Sequence, residues 1–143
     1  MQWIENYKIL MLRITLSIIF IWFGALKIAG ISPAQELIEK TVYWFPANIF
    51  IPFLGWCEVA IGIGLLIRKI LTFTITVLLL HMICTFLPLI IIPEACFTVI
   101  PYGLTLAGQY IIKNIVFLAA ILIILGMPAA KHKKSNLTSS HYV

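Results

Sequence analysis

The side chains with the types and spacing to do chemistry together are Lys27, Glu58, His81, Lys113 and Asn114. Glu58 decides the matter, because it stands inside the apolar, glycine-dotted run 55–67. An ionisable group in such a run must be paired or protonated, and within a membrane segment it marks a functional site by default. A lysine beside it would be held by the carboxylate and could donate to a carbonyl or an anionic headgroup. A histidine within reach would handle protons near neutral pH. The same residues equally fit a buried salt bridge that only fastens helices together, so both readings stand at this stage.

The elements that must position these groups are long and greasy. The chain has 143 residues, 62% of them apolar and 10% charged, with a mean hydropathy of +1.09. Soluble domains carry roughly 25% charged residues. Four apolar stretches, about 8–28, 49–67, 70–92 and 107–127, each suffice to cross a bilayer, which takes ~20 residues. A short chain of this kind spans as helices, since it cannot close a barrel. The expected fold is therefore all-α: an integral-membrane four-helix bundle over 1–128, followed by a basic tail, 129–143. The first stretch is read as a retained helix and not a cleaved signal peptide, because Lys27 interrupts it and no small-x-small cleavage site follows.

Lysine and arginine set the orientation. With both termini in the cytoplasm, Lys8, Arg13, Arg68, Lys69, Lys131, Lys133 and Lys134 face inward, against Lys27, Lys40 and Lys113 outward. Only Arg68 and Lys69 separate the second and third spans, which must form a tight hairpin. In the first outer connection Ser32-Pro33 reads as a cap followed by proline at the first helical position. The short amphipathic helix it opens, over 33–43, would lie at the membrane interface, with Tyr43, Trp44 and Phe45 at headgroup level. The second outer connection, 93–103, is apolar enough to fold back against the bundle.

Helical spacing places one polar stripe on every span. These are Arg13, Ser17, Phe20, Gly24 and Lys27 on the first, and Gly55, Glu58, Gly62 and Leu65 on the second. Thr74, His81, Thr85 and Pro88 form the third, and Gln109 with Lys113, flanked by Tyr110 and Asn114, the fourth. The glycines would let a neighbouring backbone approach closely. At 1.5 Å per residue, Glu58 lies roughly 13 Å, Lys113 roughly 8 Å and His81 roughly 15 Å below the outer ends of their spans. A helical side chain leans toward its helix's N-terminus, which sends Lys27 inward toward Glu58 and Lys113 outward. The expected site is Lys27, Glu58 and Lys113 with Asn114 close by, a net positive pocket for an anionic or carbonyl-bearing ligand. Arg13 is expected to snorkel to the cytoplasmic surface.

Other chemistries find no footing. Cys57, Cys84 and Cys96 make no C-x-x-C pair, and one histidine among the spans cannot give two axial haem ligands. His132 and His141 fall in the tail. Phosphate-loop, dinucleotide and zinc-protease patterns are missing, and the basic residues form no aromatic-laced stripe for nucleic acid.

Several short motifs, in order, resemble the DoxX-like family of membrane proteins. They are the run from Phe20 through Trp22 and Gly24 to Lys27, then Ser32-Pro33, then Glu58 to Gly62, then Pro93-Glu94-Ala95, and last Leu106 through Gly108 to Lys113-Asn114. The branch most similar is that of the reactive-chlorine-resistance inner-membrane protein. The resemblance spans nearly everything but the tail and implies a four-helix bundle in a bacterial inner membrane, with Lys27, Glu58 and Lys113 at motif positions. It also implies work in oxidative-stress defence or beside quinone-linked oxidoreductases.

The function expected is thus a small membrane subunit with no covalent cofactor and no metal, for which a quinone is the implied cofactor. It would bind a quinone-like or lipid ligand through Lys27, Glu58, Lys113, Asn114, His81, Gln109 and Trp56, with Trp22 and Phe23 along the apolar part. Its partners would be the lipid bilayer and a membrane oxidoreductase or a second copy of itself, not nucleic acid. A small-solute transporter hinged at Pro52 and Pro88, and an assembly protein without ligand, are the alternatives.

Overall fold

The computed structural model describes residues 2–126, with side chains from Tyr7 onward, so the basic tail, His132 and His141 lie outside the described residues. The chain is mostly helical. α1 (Gln2–Ile28) is followed by a short α2 (Gln35–Thr41) and by α3 (Ala47–Leu66). A 3-10 turn at Arg68–Ile70 leads into α4 (Leu71–Cys84) and the short α5 (Pro88–Ile91) and α6 (Pro93–Cys96). A two-stranded antiparallel hairpin, β1 (Phe97–Val99) with β2 (Gly103–Leu104), precedes α7 (Leu106–Leu125).

Four segments are long and apolar enough to cross a membrane: Tyr7–Ile28, Ala47–Leu66, Arg68–Ile91 and Leu106–Leu125. Their outward faces carry Trp22, Phe53, Trp56, Phe73, Ile90 and Val116, all well exposed. Water does not tolerate so continuous an apolar surface; four such helices mark a multi-pass membrane protein.

The long helices share one apolar core. Leu16 and Phe20 enter it from α1, Ile61 and Leu65 from α3, Ile75, Leu78 and Met82 from α4, and Ile121 and Ile124 from α7. The closest approach is between α1 and α3, and glycine is the reason. A Cβ on Gly55 would sit 2.7 Å from the Gly24 carbonyl oxygen and 3.0 Å from the Lys27 Cβ. At Gly62 the Ser17 hydroxyl donates to the glycine carbonyl at 2.6 Å, so the seam continues down the helix pair.

Three local details differ from the sequence expectation. α2 starts at Gln35, since residues 33 and 34 form a turn and Ser32 Oγ accepts only from the Ala34 N–H, at 3.3 Å. The third span is interrupted between α4 and α5, because Pro88 has no N–H to continue the ladder; the Thr85 hydroxyl donates back to the Met82 carbonyl at 2.6 Å. The hairpin β1–β2 adds a scrap of sheet to an otherwise helical chain. Residues 93–105 do fold back, with Cys96 fully buried and its carbonyl accepting from the Thr105 N–H at 3.0 Å. Thr105 caps α7, its hydroxyl oxygen accepting from the Gly108 N–H.

Candidate functional site

Lys27 and Glu58 meet across the α1–α3 seam. Gly24 and Gly55 bring the two backbones together, which sets Lys27 beside the next turn of α3, and its side chain runs back along α1 as the geometry of helices requires. Nζ stands 2.7 Å from Glu58 Oε2, and the residues are only 7% and 6% exposed. The other carboxylate oxygen, Oε1, lies 3.1 Å from His81 Nε2 on α4. Glu58 therefore bridges two cation-capable groups from two helices. The edge of Phe20 packs on the His81 ring at a centroid distance of 5.9 Å, and Phe117 lies beyond Phe20 at 6.2 Å.

His81 Nε2 faces the second Glu58 oxygen as an ion-pair partner, charged only when the imidazole is protonated. The Lys27 ammonium has three donors, and Glu58 is its hydrogen-bond partner among the described residues. Two donor positions are left for water or a ligand. Lys27 also lines a cleft of about 190 Å³ between the end of α1 and the starts of α2 and α3, a cleft that Glu58 and His81 do not line. Gly30, Gln35, Asn48 and Pro52 are among its walls. Gly30, at φ +71°, takes the left-handed conformation in which the chain leaves α1.

The other expected site residues lie elsewhere. Lys113 is exposed, its ammonium 5.4 Å from the centre of the Tyr110 ring, so the second cation of the expected pocket is not there. Its position within two turns of the start of α7, with a side chain leaning toward that start, lets it leave the apolar layer. Gln109 shares that outward stripe and is exposed too. Asn114 is half-buried, but its amide donates to the Thr85 hydroxyl at 3.0 Å and ties α7 to the end of α4, not to Glu58. Trp56 is 62% exposed, because two residues along a helix from Glu58 is the opposite face; Trp22 and Phe23 are likewise outward. Arg13 does not snorkel. It is buried and its Nε donates to the Leu65 carbonyl at 2.7 Å, satisfying a free carbonyl at the end of α3.

With one lysine instead of two, the site is charge-balanced and not net positive. The polar wall residues Gln35 and Asn48 were missed from the sequence. A signal existed for Asn48: it continues the face of Ile51, Gly55 and Glu58 one step toward the start of α3. Outside the spans, the Lys40 ammonium donates to Glu36 at 2.6 Å across one turn of α2. That hydrogen bond and the lysine charge hold the Glu36 carboxyl below its ordinary range and raise Lys40. Burial, with Glu94 nearby, pushes the Cys96 thiol up.

No family model, no curated protein and no solved structure matches this chain.

Proposed function

We propose that the chain is a DoxX-like subunit of the bacterial cytoplasmic membrane whose Lys27–Glu58–His81 cluster receives the polar head of a quinone-like or lipid ligand, in support of a membrane oxidoreductase or of oxidative-stress defence. It folds there as a four-helix bundle with both termini in the cytoplasm and α2 at the outer interface. Arg13, Arg68 and Lys69 at the α3–α4 turn support this orientation. The observation that carries the reading is a carboxylate held by a lysine and a histidine inside an apolar core, with that lysine on the wall of a cleft.

The cleft suits a quinone head in character. Lys27, Gln35 and Asn48 are its polar lining residues, and its volume of about 190 Å³ admits a ring and not a long tail. A bound quinone would supply capacity for two electrons and two protons. The chain's own residues do simpler work: Lys27 donates a hydrogen bond, Glu58 holds Lys27 in place, and His81 holds a proton against Glu58. The same contacts also support the reading as pure scaffold, since no buried side-chain polar atom among the described residues lacks a partner.

Gentle extraction followed by mass spectrometry of co-purified small molecules tests the proposal. A stoichiometric quinone or defined lipid is expected; bulk lipid alone would count against it. Glu58→Gln separates site from scaffold. The amide keeps the shape, its oxygen can still accept from Lys27, and its NH2 can donate to the other tautomer of His81. A folded variant with changed ligand content supports a site, whereas a variant that no longer folds supports scaffold.

A further inference from the structure

The end of the bundle away from Lys27 carries a basic group of its own. Arg13 stands six residues after Tyr7, or ~9 Å inside the first span, and its side chain leans back toward the start of α1. That brings the guanidinium level with the last turn of α3, where Nε donates to the Leu65 carbonyl at 2.7 Å. Arg68 follows three residues later in the turn between α3 and α4, and its charge acts on Arg13. We infer that Arg13 and Arg68 together seat the phosphate of one anionic phospholipid at this end of the bundle. The seat is separate from the Lys27–Glu58–His81 cluster and stands or falls without it.

Capping α3 accounts for only part of Arg13. A guanidinium has five N–H donors, and the Leu65 carbonyl, its hydrogen-bond partner among the described residues, takes one. Arg13 is 5% exposed, yet no sealed side-chain polar atom among the described residues lacks a partner. The Nη edge, which carries the four unused donors, therefore opens to the surroundings and is not sealed in the core.

No described carboxylate answers these charges. Glu36 and Glu39 on α2 and Glu94 on α6 belong to connections at the opposite end of the bundle. Glu58 lies seven residues, or ~10.5 Å, along α3 from Leu65 and is taken by Lys27 and His81. Two guanidiniums close to each other at the edge of an apolar layer repel with little screening, and an anion between them relieves this. Phosphate matches the planar fork of an arginine, which binds it through two parallel hydrogen bonds. Around the pair Ile14, Ile67 and Ile70 are each more than 40% exposed. An anion seated here lies against apolar surface that acyl chains cover, which favours a lipid phosphate over a free one. Basic pockets between spans hold anionic headgroups in this manner.

The test titrates phosphatidylglycerol, or phosphatidylcholine with the same acyl chains, into the delipidated full chain in a neutral detergent, with bound lipid counted by native mass spectrometry. One phosphatidylglycerol per chain should bind, about tenfold more tightly than phosphatidylcholine. Arg13→Lys keeps a donor for Leu65 and loses the fork, and should weaken phosphatidylglycerol by about tenfold or more. Arg68→Gln, on an exposed turn where folding is not at stake, should weaken it by about fivefold with unchanged helix content. Lys113→Gln, at the other end of the bundle, should leave it unchanged. A residue that only caps α3 would not set lipid selectivity. Equal binding of the two lipids overturns the inference, as does phosphatidylglycerol binding that Arg68→Gln leaves intact or that Lys113→Gln weakens as much. Displacement of the lipid by an equal concentration of inorganic phosphate overturns the assignment to a lipid.

Discussion

Glu58→Leu is the perturbation that most directly tests the physical account of the cluster. The Lys27 and Glu58 charges lie 2.7 Å apart, and at an effective dielectric of about 20 their attraction is about 6 kcal/mol before desolvation is subtracted. Removing one partner strands the other, and such losses run about 3–5 kcal/mol. Glu58→Leu should therefore cost about that much, as should Lys27→Met. The double variant should cost far less, because two apolar side chains can fill the place of a buried pair with little net change. What remains in the double is His81, deprived of its carboxylate neighbour at 3.1 Å, a loss of about 1–3 kcal/mol for a stranded polar group. The triple variant with His81→Phe should return part of that. The assay is reversible unfolding in bicelles, read by far-UV circular dichroism or steric trapping. Strong non-additivity, above about 2 kcal/mol, is the expected result. Additivity within about 0.5 kcal/mol would mean that Lys27 reaches water unaided and that no coupled pair exists, which refutes the reasoning.

Gly55→Ala should destabilise the protein by about 1–3 kcal/mol and weaken the Lys27–Glu58 pair, since the new methyl would press on the Gly24 carbonyl and the Lys27 Cβ and open the seam; bicelle unfolding measures the loss. In α2, the folded-state pKa of Glu36 is depressed, so its small stabilising contribution is present above the ordinary carboxylate range and fades as pH falls through the folded value. An NMR titration should place Glu36 below Glu39, and Lys40→Ala or high salt should bring it up. Cys96, fully buried and with a raised thiol pKa, should resist a water-soluble maleimide at neutral pH until the protein is unfolded; prompt labelling of Cys96 in the native state would contradict its packing.

The legibility of the fold followed from how much each residue type constrains the backbone. Twenty-residue apolar runs can satisfy their backbone only as helices, so all four spans were readable to within about two residues. The stripe from Arg13 to Lys27 was readable because a lone charge or glycine among leucines reveals the inward face, and every member of it is buried. The same logic failed on α7. Its polar residues cluster near one end, where a lysine can reach the surface without facing the core, so Gln109 and Lys113 reported depth and not direction. The buried face is set by Gly108, Ile111, Ile121 and Ile124, which look like any other apolar residues in the sequence. His81 was legible as a polar residue at mid-depth, but its partner depended on how α4 turns against α3. Gly64 lies close against Thr74 where α3 and α4 meet.

The arrangement of α1 and α3 also bears on why the carboxylate sits where it does. In the lower seam Arg13 and Ser17 donate to the carbonyls of Leu65 and Gly62. In the upper seam Lys27 pairs with Glu58 and also lines a cleft, and Glu58 has a histidine at its other oxygen. Two glycines bring the helices together at that level, where a larger residue with its own packing would have served a scaffold as well. On the proposed reading the histidine and the cleft are what a ligand site adds, and Glu58→Gln, which keeps the shape and removes the charge, is the substitution on which the two accounts part.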